Sequence, residues 1–118
     1  MGVSEIKDFL EKMGFKIMFF DEDKGLIDFI KEEWLGKLEG PLGWYASSIH
    51  CANGNCVANL NKVVFRPKEA MEVYIPSGVT VDRIHGFVDW SEGLFRIGAR
   101  LFFDQSKAKE VLNDWFGV

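Results

Sequence analysis

The sequence predicts an α+β domain: a mainly antiparallel sheet of about five or six strands, with an amphipathic helix at each end of the chain packed on one face. Three observations predict it. Apolar residues recur at helical spacing near both termini, two internal segments alternate apolar and polar residues as strands do, and each of those segments contains a dipeptide suited to a turn. The length of 118 residues suits one domain, which we place at 1–118.

Both terminal helices are predicted from the spacing i, i+3, i+4 and i+7. Ser4 is placed to cap the first helix and Gly14 to end it, while Asp104 or Ser106 is placed to cap the second. The apolar residues with this spacing are Ile6, Phe9, Leu10 and Met13 in the first helix and Ala108, Val111, Leu112 and Trp115 in the second.

The segment after the first helix has two interpretations. Residues 15–20 form an apolar, aromatic run that predicts a strand. Residues 21–25 could then turn a hairpin into a strand over 26–30. We favour a helix over 24–38 instead, because helical spacing continues and Gly40-Pro41 supplies a stop. The residues with that spacing are Ile27, Ile30, Trp34 and Leu38.

Asn53-Gly54 is the strongest turn signal, because this dipeptide accepts the positive φ angles of a type I′ turn. A hairpin about it pairs Cys51 with Cys56 and Ile49 with Ala58. One face of the hairpin is then apolar, and the other is polar, as expected of a sheet with one buried face. The polar face carries Ser48, His50, Asn59 and Asn61.

Glu92-Gly93 predicts a second hairpin with a two-residue turn. This register places Trp90 opposite Phe95 and Val88 opposite Ile97, so that apolar residues share one face. It also predicts these pairs: Ile84 with Leu101, Asp82 with Phe103, Asp89 with Arg96, Phe87 with Gly98, His85 with Arg100 and Arg83 with Phe102.

The segment 63–79 gives weaker signals. Residues 63–65 and 71–75 have the composition of strands, and they flank Arg66-Pro67, which could equally begin one helical turn. The run Pro76-Ser77-Gly78 predicts a turn in either case.

Cys51 and Cys56 are the two cysteines of the chain. The predicted hairpin puts their Cα atoms about 4.5 Å apart, at a non-hydrogen-bonded pair where a disulfide fits. We expect a reduced pair, because a cytoplasmic chain keeps thiols reduced and a free Cys commonly fills an apolar face. A disulfide is the first alternative. Zinc is the second, since it would need two more ligands and His50 faces the other way.

A cluster of basic and aromatic residues is the candidate ligand site. Guanidinium groups beside aromatic rings suit an anionic small molecule or an acidic protein surface. The alternative is an ordinary solvated sheet face with Asp89 neutralising Arg96. The predicted ligand-binding residues are Arg83, His85, Phe87, Arg96 and Arg100, with Phe102 on the same face.

The remaining features exclude several functions. The net charge of −4 argues against nucleic-acid binding, and no apolar run approaches the length of a membrane span. We expect a soluble, cytoplasmic protein, because charged residues such as Glu5, Lys7 and Asp8 also interrupt any signal-peptide run near the start. We expect no cofactor, because no phosphate loop, nucleophile elbow or zinc-protease motif is present. The leading hypothesis is a non-catalytic binding module, which could be a homodimer. The alternative is a small metal-binding or thiol-redox protein or enzyme centred on Cys51 and Cys56.

Overall fold

The computed structural model describes residues 2–36, 38, 42–64, 78–89 and 94–117, and these form a six-stranded sheet and two α-helices. The sheet order is β1-β2-β3-β4-β6-β5, and all neighbouring strands are antiparallel. The predicted α+β class is therefore confirmed. The elements are α1 Val3–Lys12, β1 Phe15–Asp21, β2 Leu26–Lys31, β3 Ser47–Ala52, β4 Asn55–Val64, β5 Thr80–Asp89, β6 Leu94–Asp104 and α2 Ala108–Phe116.

Both helices pack on one face of the sheet, here called the helix face, and bury the main core. α1 contributes Ile6 and Leu10, and α2 contributes Val111, Leu112 and Trp115. Alternate residues of the strands complete this core, as the two-residue period of a strand requires. They are Phe15, Ile27, Phe29, Ile49, Cys51, Cys56, Ala58, Leu60, Ala99, Leu101 and Phe103. The opposite face of the sheet is called the open face.

Of the three helix ends that the sequence predicts, Gly14 follows α1 as expected, whereas Ser4 does not cap α1 and Asp104 caps a 3-10 turn at Gln105–Lys107 just ahead of α2. Gly2, rather than Ser4, is the N-cap of α1, because the backbone N–H groups of Glu5 and Ile6 already donate to the Gly2 carbonyl. Ahead of α2, Asp104 Oδ1 accepts hydrogen bonds from the backbone N–H (2.9 Å) and hydroxyl (2.6 Å) of Ser106. These bonds lower the pKa of Asp104. Gly14 and Gly117, which follow the two helices, have positive φ.

The hairpin about Asn53-Gly54 is confirmed. Asn53 and Gly54 have φ of 54° and 78°, as a type I′ turn needs. β3 and β4 pair Cys51 with Cys56 and Ile49 with Ala58, in the predicted register.

The helix favoured over 24–38 is wrong, and the hairpin alternative is the observed structure. The backbone N–H of Lys24 donates to Asp21 Oδ1 at 3.1 Å, and Gly25 has φ of 68° in the turn. Because β2 then pairs with both β1 and β3, its backbone hydrogen-bonding groups are used in the sheet. A short 3-10 turn at Glu32–Trp34 follows it.

The helical spacing that misled the prediction arises from two separate cores. Ile27 packs on the helix face, whereas Ile30 follows β2 alternation to the open face. Ile30 lies there in a second buried cluster with Trp34, Leu38, Tyr45 and Val63. The segment between β2 and β3 therefore covers part of the open face.

The second hairpin is antiparallel, as predicted, but its register is wrong by two residues. Val88 pairs with Phe95 instead of Ile97, and Asp89 pairs with Leu94. Face alternation fits both registers equally well, because a strand repeats every two residues. The observed pairs Arg83 with Arg100, His85 with Gly98, Phe87 with Arg96 and Ile84 with Ala99 replace the predicted ones. Trp90 and Glu92-Gly93 lie outside the described residues.

A bulge in β5 overturns one further pair. The register shifts between Val81 and Arg83, so Asp82 is an extra residue and does not pair with Phe103.

In the segment 63–79, Val63 and Val64 end β4. The predicted strand at 71–75, Arg66-Pro67 and most of the turn at Pro76 lie outside the described residues. No helix formed by the described part of the chain is long and apolar enough to cross a membrane.

Gly25→Ala is expected to lower the free energy of unfolding by about 3 kcal/mol, measured by urea denaturation. A Cβ atom at this position would lie 2.0 Å from the carbonyl oxygen of Cys51. The backbone N–H of Cys51 also donates to the Gly25 carbonyl at 2.9 Å, so the added methyl group would push β3 away from β2.

Gly54→Ala is the matched control. Gly54 also has positive φ, 78°, but a Cβ atom there would meet nothing within 4 Å. In this variant the free energy of unfolding should fall only by the energy that a non-glycine residue needs to adopt the left-handed conformation, about 1 kcal/mol. Equal losses in the two variants would contradict a close backbone approach at Gly25.

Candidate functional site

Beside the second buried cluster, the part of the open face that no described segment covers carries polar residues in register. The pairings join Asp28 of β2 to Ser48 of β3, Ser48 to Asn59 of β4, Asn59 to Arg100 of β6 and Arg100 to Arg83 of β5. Because paired positions in neighbouring strands lie side by side, these residues form one row across five strands. The row has an acidic residue near one end and two arginines at the other.

Arg96 belongs to a partly buried polar network at the border of the second cluster. Its Nε donates to Asn61 Oδ1 at 3.0 Å. The Asn61 side chain also donates through Nδ2 to the Ala46 carbonyl, and the Asn61 backbone N–H donates to Ser47 Oγ at 2.8 Å. Burial lowers the pKa of Arg96, and Tyr45 acts in the opposite direction. These contacts favour a structural role for Arg96, tying β6 to β4 and to the segment before β3.

Arg100 is much more exposed than Arg96. Its guanidinium carbon lies 5.3 Å from the centroid of the Phe102 ring, and Phe102 is itself 37% exposed. Its Nε is 3.8 Å from Asp82 Oδ2, with 44% and 48% of the two side chains exposed. Among the described residues, no partner contacts the terminal nitrogens of Arg100 within hydrogen-bond distance. These two nitrogens can therefore receive an anion.

The other three predicted ligand-binding residues lie on β5. The register pairs Arg83 with Arg100, His85 with Gly98 and Phe87 with Arg96, so the backbone brings all five predicted positions onto two adjacent strands. The side chains of Arg83, His85 and Phe87 lie outside the described part of the structure. Their roles stay predictions.

Sequence reasoning missed two residues that contact the arginines. Asp82 was expected opposite Phe103, but the bulge brings its carboxylate beside Arg100. Asn61 was expected to be a polar, solvated residue, yet it is only 7% exposed and binds Arg96. No local signal marks either residue, because a bulge and a covering segment both depend on tertiary structure.

Cys51 and Cys56 are joined in the structure, with Sγ atoms 2.03 Å apart. This differs from the reduced pair that the sequence favours. The two residues are 6% and 3% exposed, on the helix face, whereas the adjacent His50 is exposed on the open face. A thiolate would therefore be buried and on the opposite face from the His50 imidazole, which disfavours a thiol-redox site built on that pair.

A metal centre at the cysteines also lacks support in the described ranges. No three His, Cys, Asp or Glu side chains of those ranges group in a way that could hold a metal ion. The open face beside Phe102 instead adjoins a groove of about 370 Å³ at the end of the sheet. Its lining is mixed, with Asn55, Thr80 and Asp104 next to the rings of Phe102 and Phe103.

Comparison with known proteins finds no matching family model, no matching curated protein and no matching solved structure. Function must therefore be argued from side chains that the fold brings together. On the described part of the open face these are Arg100, Phe102 and Asp82, with Asn59 at the neighbouring register position.

Asn61→Ala is expected to lower the free energy of unfolding by about 2 kcal/mol in urea denaturation. The substitution leaves the Ala46 carbonyl without its donor and removes one acceptor from Arg96, both in a partly buried environment. Asn59→Ala is the control, because Asn59 lies on the same strand and face but is exposed. The free energy of unfolding of this control variant should fall by less than about 0.5 kcal/mol. Equal losses would contradict a network centred on Asn61.

Reduction of the protein should lower its stability. Closing a loop with a sequence separation of 5 residues stabilises the folded state by about 2 kcal/mol in the chain-entropy model. Urea denaturation with dithiothreitol should therefore show a midpoint lower than denaturation without it. The double variant C51A/C56A should give the same midpoint with and without reductant. A wild-type midpoint that ignores dithiothreitol would contradict a disulfide in solution.

Proposed function

We propose that this protein is a non-catalytic binding module that recognises an anionic group, a carboxylate or a phosphate, on the exposed part of its open face. Arg100 is the main anchor, supported by Phe102 and by Arg83 at the paired register position. The observation that carries the proposal is the exposed guanidinium of Arg100, which lies over a ring and leaves its terminal nitrogens without a partner among the described residues.

The orientation of Arg100 favours binding. A guanidinium that lies against an aromatic face is held in place by cation–π attraction and loses less side-chain freedom when a ligand arrives. Its planar fork matches two oxygens of a carboxylate or phosphate. The strand on which it lies pairs on both sides, with β4 and with β5, so the backbone below the site is rigid.

Asp82 does not prevent this interaction. Its carboxylate is 3.8 Å from Arg100 Nε, and both side chains are largely solvated, so the pair is worth at most about 1 kcal/mol. An incoming anion can therefore compete for the same guanidinium, or bind its outer nitrogens while Asp82 stays at Nε. Asp82 then acts as a weak internal competitor that lowers affinity for anions.

The register of β5 and β6 adds positive charge. Arg83 and Arg100 occupy directly paired positions, where like charges destabilise a sheet by a few tenths of a kcal/mol or more. An anion bound between these positions would relieve that repulsion. The same register is consistent with the two partners that the sequence suggests for this face, an anionic small molecule and an acidic protein surface.

Substitution of Arg100 tests the proposal. In ¹H–¹⁵N NMR titrations, pyrophosphate and a hexaglutamate peptide should each shift amide signals around residues 59, 82, 100 and 102. R100Q should weaken the tighter-binding probe about tenfold, because it removes a charged, two-pronged hydrogen bond donor. D82N should tighten binding of the same probe, since it removes the internal competitor.

K24Q is the control for non-specific attraction, because Lys24 is an exposed lysine in the turn between β1 and β2. Its affinity should equal that of the wild type. The probe that binds more tightly identifies the source of the anion, small molecule or protein. If R100Q is folded by its NMR spectrum and binds both probes with the affinity of the wild type, the proposed site is ruled out.

Another copy of the chain is the third partner that the sequence suggests. A homodimer is compatible with this site when the contact lies at β1, because three strands separate β1 from β6 in the sheet. Anion binding and self-association can then be tested by separate substitutions.

A further inference from the structure

β1 forms one edge of the sheet that the described residues build. It pairs with β2 on one side, and no strand of the described residues pairs with its other side. An edge strand presents backbone N–H and carbonyl groups that can pair with another extended chain. With seven residues, Phe15–Asp21, β1 is long enough for such pairing.

The centre of this edge is apolar and exposed. Met18 and Phe19 are 49% and 50% exposed, and they are consecutive. The register moves from Ile17 opposite Phe29 to Phe19 opposite Asp28, so Met18 is an extra residue in a bulge. Natural edge strands usually carry charges at their centre to prevent association. Here two large apolar side chains take that place, which points to a contact surface.

The bulge also makes the strand symmetric about its centre. Ile17 before it and Phe20 after it both pack against the main core, while Met18 and Phe19 between them are exposed. Lys16 and Asp21 lie one residue further out. Read from either end toward the middle, β1 therefore has a charged residue, a core-packed apolar residue and an exposed apolar residue.

Such a pattern is complementary to itself in antiparallel orientation. When two copies of β1 pair about a two-fold axis between Met18 and Phe19, Ile17 of one copy lies opposite Phe20 of the other. Lys16 of each copy lies opposite Asp21 of the other, so opposite charges meet at both ends. Lys16 makes no ion pair with any described residue, and Asp21 has one carboxylate oxygen beyond that which accepts from Lys24.

We propose that two copies of this chain associate through antiparallel pairing of their β1 strands, in the register that sets Lys16 opposite Asp21 and Met18 opposite Phe19. The dimer joins the two sheets edge to edge and covers the exposed apolar pair of each copy. This goes beyond the proposed anion site, which lies on β6 and is untouched by the contact.

Charge reversal at the two ends of β1 tests the register. Sedimentation velocity over a concentration series should show the wild type moving from monomer to dimer as concentration rises. K16E and D21K should each weaken self-association about tenfold or more, because each sets like charges opposite each other twice. An equimolar mixture of K16E and D21K should associate again, since opposite charges then face each other at both ends.

K109E is the matched control, because Lys109 is an exposed lysine on α2, and it should dimerise as the wild type does. Circular dichroism and NMR spectra establish that K16E and D21K remain folded. A wild type that stays monomeric at every concentration would overturn the proposal, and the partner of β1 would then have to be a strand of another protein. A dimer that K16E does not weaken, or a mixture that fails to associate, would also overturn it. None of these outcomes depends on anion binding, which R100Q tests separately.

Discussion

The left-handed conformation of Asn53 and Gly54 is the constraint on which the rest of the sheet depends. A two-residue turn allows a single register for β3 and β4, and a slip of one residue would exchange the buried and exposed faces of both strands. β4 then pairs with β6 over ten positions, from Asn55 opposite Asp104 to Val64 opposite Phe95. The placement of Cys51 opposite Cys56 in the main core, and of Ser48 opposite Asn59 in the polar row, follows from this turn.

The two outermost strands among the described residues, β1 and β5, each contain one bulge, and each bulge lies at a surface proposed for binding. In β1 the extra residue Met18 puts two apolar side chains side by side on the exposed edge. In β5 the extra residue Asp82 brings a carboxylate to the guanidinium of Arg100. The inner strands β2, β3, β4 and β6 show no register shift in their mutual pairings. The regular interior of the sheet thus supports irregular edges, where contacts with other molecules can form.

The fold class and the first hairpin could be predicted from the sequence because local signals determine them. Helical spacing marks both helices, and Asn53-Gly54 sets a register without help from the rest of the chain. The second hairpin shows the limit of that reasoning. Alternation determines its faces but leaves the register free by steps of two residues, so the assumed turn length at Glu92-Gly93 produced pairs such as His85 with Arg100 that the structure replaces. The helix predicted over residues 24–38 is wrong for another reason. Ile27 and Ile30 belong to different cores, and each core depends on distant strands.

Arg96 and Arg100 show why a candidate site cannot be read from residue type and spacing alone. They lie four residues apart on one strand and on the same face, so the sequence treats them as equivalent. The difference between them comes from the segment between β2 and β3, which folds over the open face and brings Tyr45 and the Ala46 carbonyl to the Asn61 side of the sheet. Arg96 lies at the border of that cover and gives its Nε to Asn61, whereas Arg100 lies beyond it, in solvent, over Phe102. Burial by the segment between β2 and β3 gives Arg96 a structural role and leaves Arg100 available to bind a ligand. The boundary of that segment therefore defines where a ligand site can begin.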